Sequence, residues 1–222
     1  MTTMAMPRAR KDAPMEGMVA KWYASNTAEM MKEYVELAAR VAKALPSGSA
    51  VLEVAPGPGY FSIELAKRGT YAITGLDLSR TFVELAGRNA AKAGVQARFM
   101  QGSASNMPLP RDTFDFLLCR AAFKNFARPV EALKEMQRVL KPGGRGVIID
   151  LKGNASADEI AREVDRMGLT WFNRIMTKLA FRTMLLKRAY TQPQFEAMLA
   201  EVSFAKAEIQ ESNMGLEIWM TK

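Results

Sequence analysis

The sequence predicts an α/β fold: a doubly wound, Rossmann-like, mostly parallel seven-stranded sheet with an antiparallel C-terminal hairpin and helical lid segments. Short apolar runs alternate with helical patterns between residues 50 and 150, which is typical of strands joined by crossover helices. The run Phe114–Cys119 is almost wholly apolar, as expected for a parallel strand buried on both faces. Two further apolar runs lead to acidic residues, Glu53 and Asp77, with a glycine-rich loop between them.

Two helical segments are predicted before the first strand. Residues 1–14 are polar and basic, so we expect a flexible basic tail there. Residues 15–45 are predicted as N-terminal lid helices. The second of them is expected to start at the box Asn26-Thr-Ala-Glu29 and to end before Pro46.

The central segment, residues 46–152, is predicted as a Rossmann-like core that binds a cofactor. Its predicted strands are residues 50–54, 71–76, 96–100, 114–119 and 146–150. Its predicted helices are residues 60–68, 80–93 and 130–140, the last of them closed by Pro142-Gly-Gly144. Residues 153–200 then form a helical insertion that we expect to act as a substrate lid. Residues 201–222 are predicted to complete the sheet as a strand pair.

Composition limits the possible chemistry. Of the 222 residues, 49% are hydrophobic and 24% are charged, which is ordinary for a globular protein. No apolar run approaches the ~18 residues of a membrane span and the N-terminus lacks a secretory signal, so we expect a cytoplasmic protein. The chain has one cysteine, Cys119, and no histidine, which excludes an internal disulfide, multi-thiolate metal sites and histidine-based triads. We therefore expect no metal site and a buried Cys119.

The loop after the first predicted strand has the composition of a ligand site. Small residues at Ala55, Gly57 and Gly59 let the backbone turn sharply and approach a ligand closely. Glu53 can pair with a cationic amine, and the amides that start the following helix favour a carboxylate. Asp77 ends the second strand, from which a carboxylate can accept both hydroxyls of a ribose. These residues predict a site for an adenosine-containing cofactor.

Four segments, in order, resemble the motifs of one family. Val51-Leu-Glu-Val-Ala-Pro-Gly-Pro-Gly59 and Gly75-Leu-Asp-Leu-Ser79 are similar to its first and second motifs. Gln101–Pro110 with Asp112–Asp115 resembles its adenine-side loop, and Glu135–Gly144 resembles the helix and turn before its fifth strand. On these segments the chain resembles the class I S-adenosylmethionine-dependent methyltransferases, in the small methyltransferase type 11 group related to ubiquinone and menaquinone biosynthesis.

The resemblance implies S-adenosylmethionine as the cofactor and a set of contacts for it. The residues that it places around the cofactor are Glu53, Ala55, Pro56, Gly57, Gly59, Asp77, Leu78, Ser103, Ala104 and Arg120. The segment that ends at Gly59 would hold the methionine part. Asp77 would bind the ribose with Leu78 against the adenine, and Ser103 would meet the adenine edge. Arg120 would line the face on which the methyl group is transferred.

Three positions depart from the pattern of that family. Ala55 replaces the usual first glycine, and alanine has less backbone freedom. Ser103 stands where an acid is common, which weakens the contact expected with the adenine amino group. The segment Phe123-Lys-Asn125 stands where many relatives carry histidine or aromatic residues, so their substrate assignments do not transfer to this chain.

The activity implied is transfer of a methyl group to a small-molecule acceptor, which could be lipophilic, phenolic, a thiol or an amine. A sulfonium makes its methyl carbon strongly electrophilic, so catalysis depends largely on alignment. Thiol or activated-carbon nucleophiles need less help from a base than alcohols do. In a chain without histidine, the candidate catalytic residues are Arg120, Tyr23 and Lys124. The candidate substrate contacts are Trp22, Tyr23, Phe123 and Tyr190.

Two other interpretations stay open. A Rossmann-type NAD(P)-binding oxidoreductase would use Gly57-Pro-Gly-Tyr-Phe-Ser62, which lacks the third glycine of the dinucleotide motif. A non-catalytic module could bind the cofactor or a membrane surface without turnover. Nucleic acid is not favoured as a partner, because Cys119-Arg-Ala-Ala-Phe123 lacks the signatures of base methyltransferases. The oligomeric state is not indicated.

Residues 166–195 concentrate the positive charge of a chain whose net charge is +8. The segment has no acidic residue and six basic ones, Arg166, Arg174, Lys178, Arg182, Lys187 and Arg188. Aromatic and aliphatic residues such as Trp171 and Leu179 lie among them. This pattern is typical of a solvated helix face, or of a segment that associates with an anionic membrane.

Overall fold

The computed structural model describes residues 13–27, 31–166 and 171–222. Its centre is a seven-stranded sheet in the order β3-β2-β1-β4-β5-β7-β6. The strands are β1 Ala50–Val54, β2 Ala72–Asp77, β3 Arg98–Gln101, β4 Phe114–Arg120, β5 Leu140–Leu151, β6 Lys206–Glu211 and β7 Gly215–Thr221. Strands β1 to β5 pair in parallel, and β7 pairs antiparallel with both β5 and β6. The predicted fold class is confirmed.

Helices cover both faces of this sheet. They are α1 Gly17–Thr27, α2 Met31–Ala44, α3 Tyr60–Ala66, α4 Arg80–Lys92, α5 Pro129–Val139, α6 Ala157–Arg166, α7 Trp171–Ala180, α8 Leu186–Arg188 and α9 Gln192–Leu199. A 3₁₀ turn at Phe123–Asn125 follows β4, and a π-helical turn at Phe181–Leu185 joins α7 to α8. Most of the predicted basic tail, residues 1–12, lies outside the described residues. The assignment of residues 15–45 and 153–200 as lids stays a prediction.

Strand β4 is buried on both faces, as its apolar run predicts. Phe116 and Leu118 pack in one cluster with α2 and α3, while Leu117 and Cys119 pack in another with α5 and α9. The thiol of Cys119 is fully buried, and burial raises its pKa well above the ordinary value. Two apolar layers therefore enclose the sheet, as expected for a doubly wound fold.

Two predicted boundaries are wrong. Strand β5 begins at Leu140, six residues before its predicted start, and Pro142-Gly-Gly144 is a bulge inside it. The register with β4 moves from Phe114–Leu140 to Phe116–Arg145 across this bulge. The second helix does not start at Asn26, because Asn26 lies within α1 and α2 begins at Met31; residues 28–30 lie outside the described ranges.

Strand order fixes where a ligand can bind. Strands β2 and β3 lie on one side of β1, and β4 lies on its other side. Crossover helices on opposite faces therefore diverge above the carboxyl ends of β1 and β4, which leaves a crevice there.

We expect Gly75→Ala to lower the free energy of unfolding by about 1–3 kcal/mol, because β2 has no room for a methyl group there. An added Cβ would lie 2.5 Å from Cδ1 of Phe99 and 3.0 Å from Cγ of Pro56. Gly87→Ala is the matched control, since nothing lies within 4 Å of its Cβ in α4. Alanine favours a helix over glycine by about 1 kcal/mol, so this control should gain stability. Urea unfolding followed by circular dichroism measures both, and equal stability of the two variants would contradict the argument.

Candidate functional site

A cavity lies at the carboxyl ends of β1, β2 and β4, in the predicted crevice. Its walls come from residues 13–15, 53–58, 76–78, 102–104 and 120–122. Tyr34, Phe82, Asn125 and Phe126 complete the lining. The cavity therefore gathers the ends of three parallel strands, the loops that follow them and the segment before α1.

Glu53, on β1, is a buried carboxyl group at this cavity, with 3% of its surface exposed. Its Oε2 accepts hydrogen bonds from the Ser62 amide at 3.1 Å and the Ser62 hydroxyl at 2.6 Å. Burial raises the pKa of Glu53 to about 7, and the bonds from Ser62 and the charge of Arg120 oppose this only in part. The group thus changes charge near neutral pH, and a cation beside it would favour the carboxylate.

Asp77 ends the neighbouring strand β2 and is also buried, with 7% of its surface exposed. Its Oδ2 accepts from the Gly57 amide at 3.0 Å, and its Oδ1 accepts from the Ser79 amide at 2.9 Å. Burial raises the pKa of Asp77, and these two backbone bonds oppose that shift. Asp77 therefore connects the loop after β1 to the start of α4. Each of its oxygens keeps a lone pair for a further donor.

Two alanines that line the cavity have backbone in the left-handed region. Ala55 follows β1 with φ 57°, and Ala121 follows β4 with φ 56°. Such a conformation costs a non-glycine residue about 1–2 kcal/mol. Ala55 keeps the turn that glycine would favour, and its amide donates to the carbonyl of Leu76 at 2.8 Å. Backbone strain of this kind concentrates at functional sites.

The two predicted loop glycines have different environments. Gly57 lines the cavity with φ 54°, and its amide donates to Asp77. Gly59 has φ 80° and does not line the cavity; a Cβ there would lie 3.0 Å from the side chains of Ala86 and Phe99. Gly59 therefore allows the loop to pass close to α4 and β3.

Arg120, at the end of β4, lines the cavity and connects it to α2. Its guanidinium pairs with the carboxylate of Glu33 and lies over the ring of Tyr34, 4.6 Å from the ring centroid. Only 14% of its side chain is exposed. The same charge acts on Glu53 and favours its carboxylate form.

Lys124 lies in the 3₁₀ turn after β4 and does not line the cavity. Its ammonium pairs with the Asp150 carboxylate at 2.8 Å and donates to the Ala121 carbonyl at 2.5 Å. The Lys124 amide also donates to Asp150, at 2.9 Å. This buried pair fixes the turn that carries Asn125 and Phe126 into the cavity wall.

The predicted site residues differ in where the structure places them. Phe123 and Tyr190 are buried in an aromatic cluster with ring centroids 5.9 Å apart, and neither lines the cavity. The side chains of Trp22 and Tyr23, on α1, lie outside the described part of the structure. The predicted residues that do line the cavity are Glu53, Ala55, Pro56, Gly57, Asp77, Leu78, Ser103, Ala104 and Arg120.

Several lining residues were not predicted as site residues. Tyr34 and Met15 reach the cavity from segments before β1, and Phe82 reaches it from α4. Asn125 and Phe126 follow the β4 turn, where the departure from the family motif gave a signal that could have identified them. Tyr34, Met15 and Phe82 lie on no recognisable motif, so only the packing reveals them.

The described ranges contain neither a candidate metal site nor a membrane-spanning helix. No group of three or more histidine, cysteine, aspartate or glutamate side chains there could hold a metal ion. No helix in those ranges combines the length and the apolar character needed to cross a membrane.

Comparison with known proteins agrees with this geometry. Residues 52–148 match a protein family described as a methyltransferase domain. A demethylmenaquinone methyltransferase of Deinococcus radiodurans is 40% identical over 107 residues, which are 48% of this chain and 44% of that relative. A ubiquinone/menaquinone biosynthesis C-methyltransferase of Geobacter sulfurreducens is 28% identical over 183 residues, which are 76% of this chain and 70% of the relative. The chain thus spans less than half of the first relative.

The fold itself recurs in solved structures. A SAM-dependent methyltransferase from Aquifex aeolicus aligns with a TM-score of 0.64 at 19% identity, over 83% of this chain and 88% of that one. At this identity the likeness concerns the fold alone. The matched segment, residues 52–148, begins one residue after the start of the first motif, contains the other three motifs, and includes Glu53 and Asp77. Residues 52–148 of this chain are therefore similar to the methyltransferase domain family.

Proposed function

We propose that this chain binds S-adenosylmethionine and catalyses transfer of its methyl group to a small-molecule acceptor. One observation carries the proposal: two buried carboxyl groups, Glu53 and Asp77, lie at the carboxyl ends of adjacent parallel strands and line the same cavity. Perturbed carboxyl groups in a cleft mark a candidate functional site. Similarity of residues 52–148 to a methyltransferase domain supports this function over an NAD(P)-binding oxidoreductase or a non-catalytic module.

The donors and acceptors in the cavity suit the two ends of this cofactor. Glu53 offers a carboxylate to the methionine ammonium, and Asp77 has free lone pairs for the two ribose hydroxyls. Leu78, Phe82 and Ala104 offer apolar surface to the adenine. When bound, the cofactor supplies an electrophilic methyl group. The contribution of the chain is to hold both reactants in line and to exclude water.

Proton transfer has few candidates in this cavity. Within the described residues, the titratable groups that line it are Tyr34, Glu53, Asp77 and Arg120. Lys124 holds Asp150, so we propose a positioning role for it and not a role as base. The proposed reaction therefore suits an acceptor that ionises readily. Trp22 and Tyr23 of α1 remain proposed acceptor contacts.

We propose a hydrophobic, quinone-like acceptor. The wall after β4 is mostly apolar, with Ala121, Ala122 and Phe126 beside the polar Asn125. One relative is named a demethylmenaquinone methyltransferase and another a ubiquinone/menaquinone biosynthesis C-methyltransferase, which supports a quinol carbon as the acceptor atom. Incubation with methyl-labelled cofactor and a panel of demethylated quinols, phenols, thiols and amines tests this choice. Labelling of amines alone would overturn it.

We further propose that α7 contacts an anionic membrane, where such an acceptor would dissolve. Trp171, Ile175 and Leu179 repeat every four residues along α7 and are more than half exposed. Arg174 and Lys178 lie beside them and share the single carboxylate of Asp165, which leaves net positive charge. Basic side chains at the edge of an exposed apolar helix face suit a lipid surface.

We expect Asp77→Asn to weaken S-adenosylmethionine binding about tenfold to several hundredfold, because charge-assisted hydrogen bonds worth ~1.5–3 kcal/mol each are lost. Asp115→Asn is the control. Asp115 also accepts a backbone amide, from Ala50 at 2.8 Å, but it does not line the cavity. Isothermal titration calorimetry gives both dissociation constants. Equal affinity of the two variants would remove Asp77 from the role proposed for it.

We expect Glu53→Gln to bind the cofactor poorly but to be more stable than the wild type at pH 8. The folded protein keeps the Glu53 proton up to about pH 7, while an unfolded chain releases it near 4.5. The stability contributed by the neutral form is complete below pH 4.5 and is lost as pH rises through 7. The advantage of the variant should grow by about 2–3 kcal/mol between pH 4 and pH 8. Urea unfolding at both pH values checks this, and a constant difference would disprove the shift.

We expect wild-type protein to float with vesicles of anionic phospholipid, and a Trp171→Ser, Ile175→Ser, Leu179→Ser variant to stay in the dense fraction. The variant loses the apolar contact but keeps the basic side chains. Met18→Ser with Val19→Ser is the control, since both residues are exposed on α1. Failure of the wild type to float would end the membrane proposal and leave the methyltransferase proposal intact.

A further inference from the structure

Residues 13–17, which we call the strap, lie across the N-terminus of α4. The Glu16 carboxylate accepts from the amides of Arg80 and Thr81, both at 3.0 Å, and from the Thr81 hydroxyl. The Gly17 amide donates to that hydroxyl oxygen at 3.1 Å. The Ser79 hydroxyl donates to the Met15 carbonyl at 2.5 Å. The strap is therefore attached at three successive residues.

These contacts complete the N-terminus of α4. A helix leaves its first amides without partners inside the helix, and nearby side chains usually accept from them. Here Asp77 accepts from Ser79, and Ser79 accepts from Phe82. The two amides between them have their acceptor in Glu16, which is 64 residues away in the chain. Glu16 thus has the role that a residue of α4 would ordinarily have.

The strap also covers one end of the cavity. Ala13, Pro14 and Met15 line it together with Leu78 and Phe82, beside Asp77. The charge of Glu16 also acts on Asp77, whose pKa it helps to raise. Glu16 is therefore linked to the end of the cavity where Asp77 lies, both through α4 and electrostatically.

We propose that Glu16 is a positioning residue that holds the strap closed over the nucleoside end of the cofactor, and that the cofactor enters and leaves when Glu16 detaches from α4. This inference rests on the proposed function. The contacts of Glu16 with α4 are exposed, and exposed charged contacts contribute little net stability, so Glu16 can detach at a small cost. Water can replace Glu16 on both amides, and α4 need not unfold when the strap opens.

The test is stopped-flow binding of S-adenosylmethionine to the full chain carrying Glu16→Ala. We expect cofactor dissociation to become several-fold faster, as the loss of exposed charged contacts allows. Glu84→Ala is the matched control, because Glu84 is an exposed acid of α4 that pairs only with Arg80 in the contacts described. Glu16→Gln keeps one acceptor oxygen and should give an intermediate rate. Hydrogen exchange should speed up at the amides of residues 80 and 81 in Glu16→Ala.

The outcomes separate the two proposals. If the wild type binds the cofactor and Glu16→Ala releases it no faster than Glu84→Ala does, the strap proposal fails and the proposed function stands. If the wild type does not bind the cofactor, the proposed function fails and this inference fails with it. Faster exchange at residues 80 and 81 without faster release would show that Glu16 only caps α4, which also overturns the proposal.

Discussion

Burial of two carboxyl groups at the ends of β1 and β2 is the constraint on which the rest of the site depends. Removing Glu53 and Asp77 from water is costly unless donors surround them. The loop after β1 supplies the Gly57 amide, α3 supplies Ser62, and the start of α4 supplies Ser79. Three elements are thus oriented by two side chains. Burial raises the pKa of Glu53 to about 7, so the hydrogen bonds that it accepts offset only part of the cost of burying its charge. This carboxyl group therefore lowers the stability of the fold, but it leaves a group in the cavity that can bind a cation.

The turn after β4 also contains a residue with an unfavourable backbone conformation. Ala121 has the same left-handed backbone as Ala55, and the two residues follow strands that are adjacent in the sheet. The Ala121 carbonyl accepts from the Lys124 ammonium, which is held in turn by Asp150. A buried ion pair contributes little net stability on its own. Here it fixes the direction in which the chain leaves β4, and hence the cavity wall.

Sequence patterns predicted the elements whose determinants are local. Strand β4 and the acids at the carboxyl ends of β1 and β2 could be predicted from strand periodicity and chain order alone. The start of β5 could not be predicted, because Pro142-Gly-Gly144 has the residues of a turn. Its bulge is stabilised from the far end of the chain, since the Gly143 amide donates to the Lys222 carbonyl at 2.8 Å.

The same distinction applies to the site. Strand-end residues were predicted because their place along a strand fixes their place in the sheet. The ion-pair partners of Arg120 and Lys124 were not predicted, because they lie on other elements of the fold. Arg120 pairs with Glu33 of α2, and Lys124 pairs with Asp150 of β5. The role of Glu16 depends on a contact with α4 and leaves no signature near residue 16.

The environment of Cys119 has a practical consequence. It is the one thiol in the chain, and it lies on a central strand with no exposed surface and a pKa well above the ordinary range. Thiolate is the form that maleimides attack, so this side chain should stay unmodified while the protein is folded. A cysteine introduced on any outer helix would then be labelled selectively, and fluorescent or spin probes could report movements of this molecule without removal of the native cysteine.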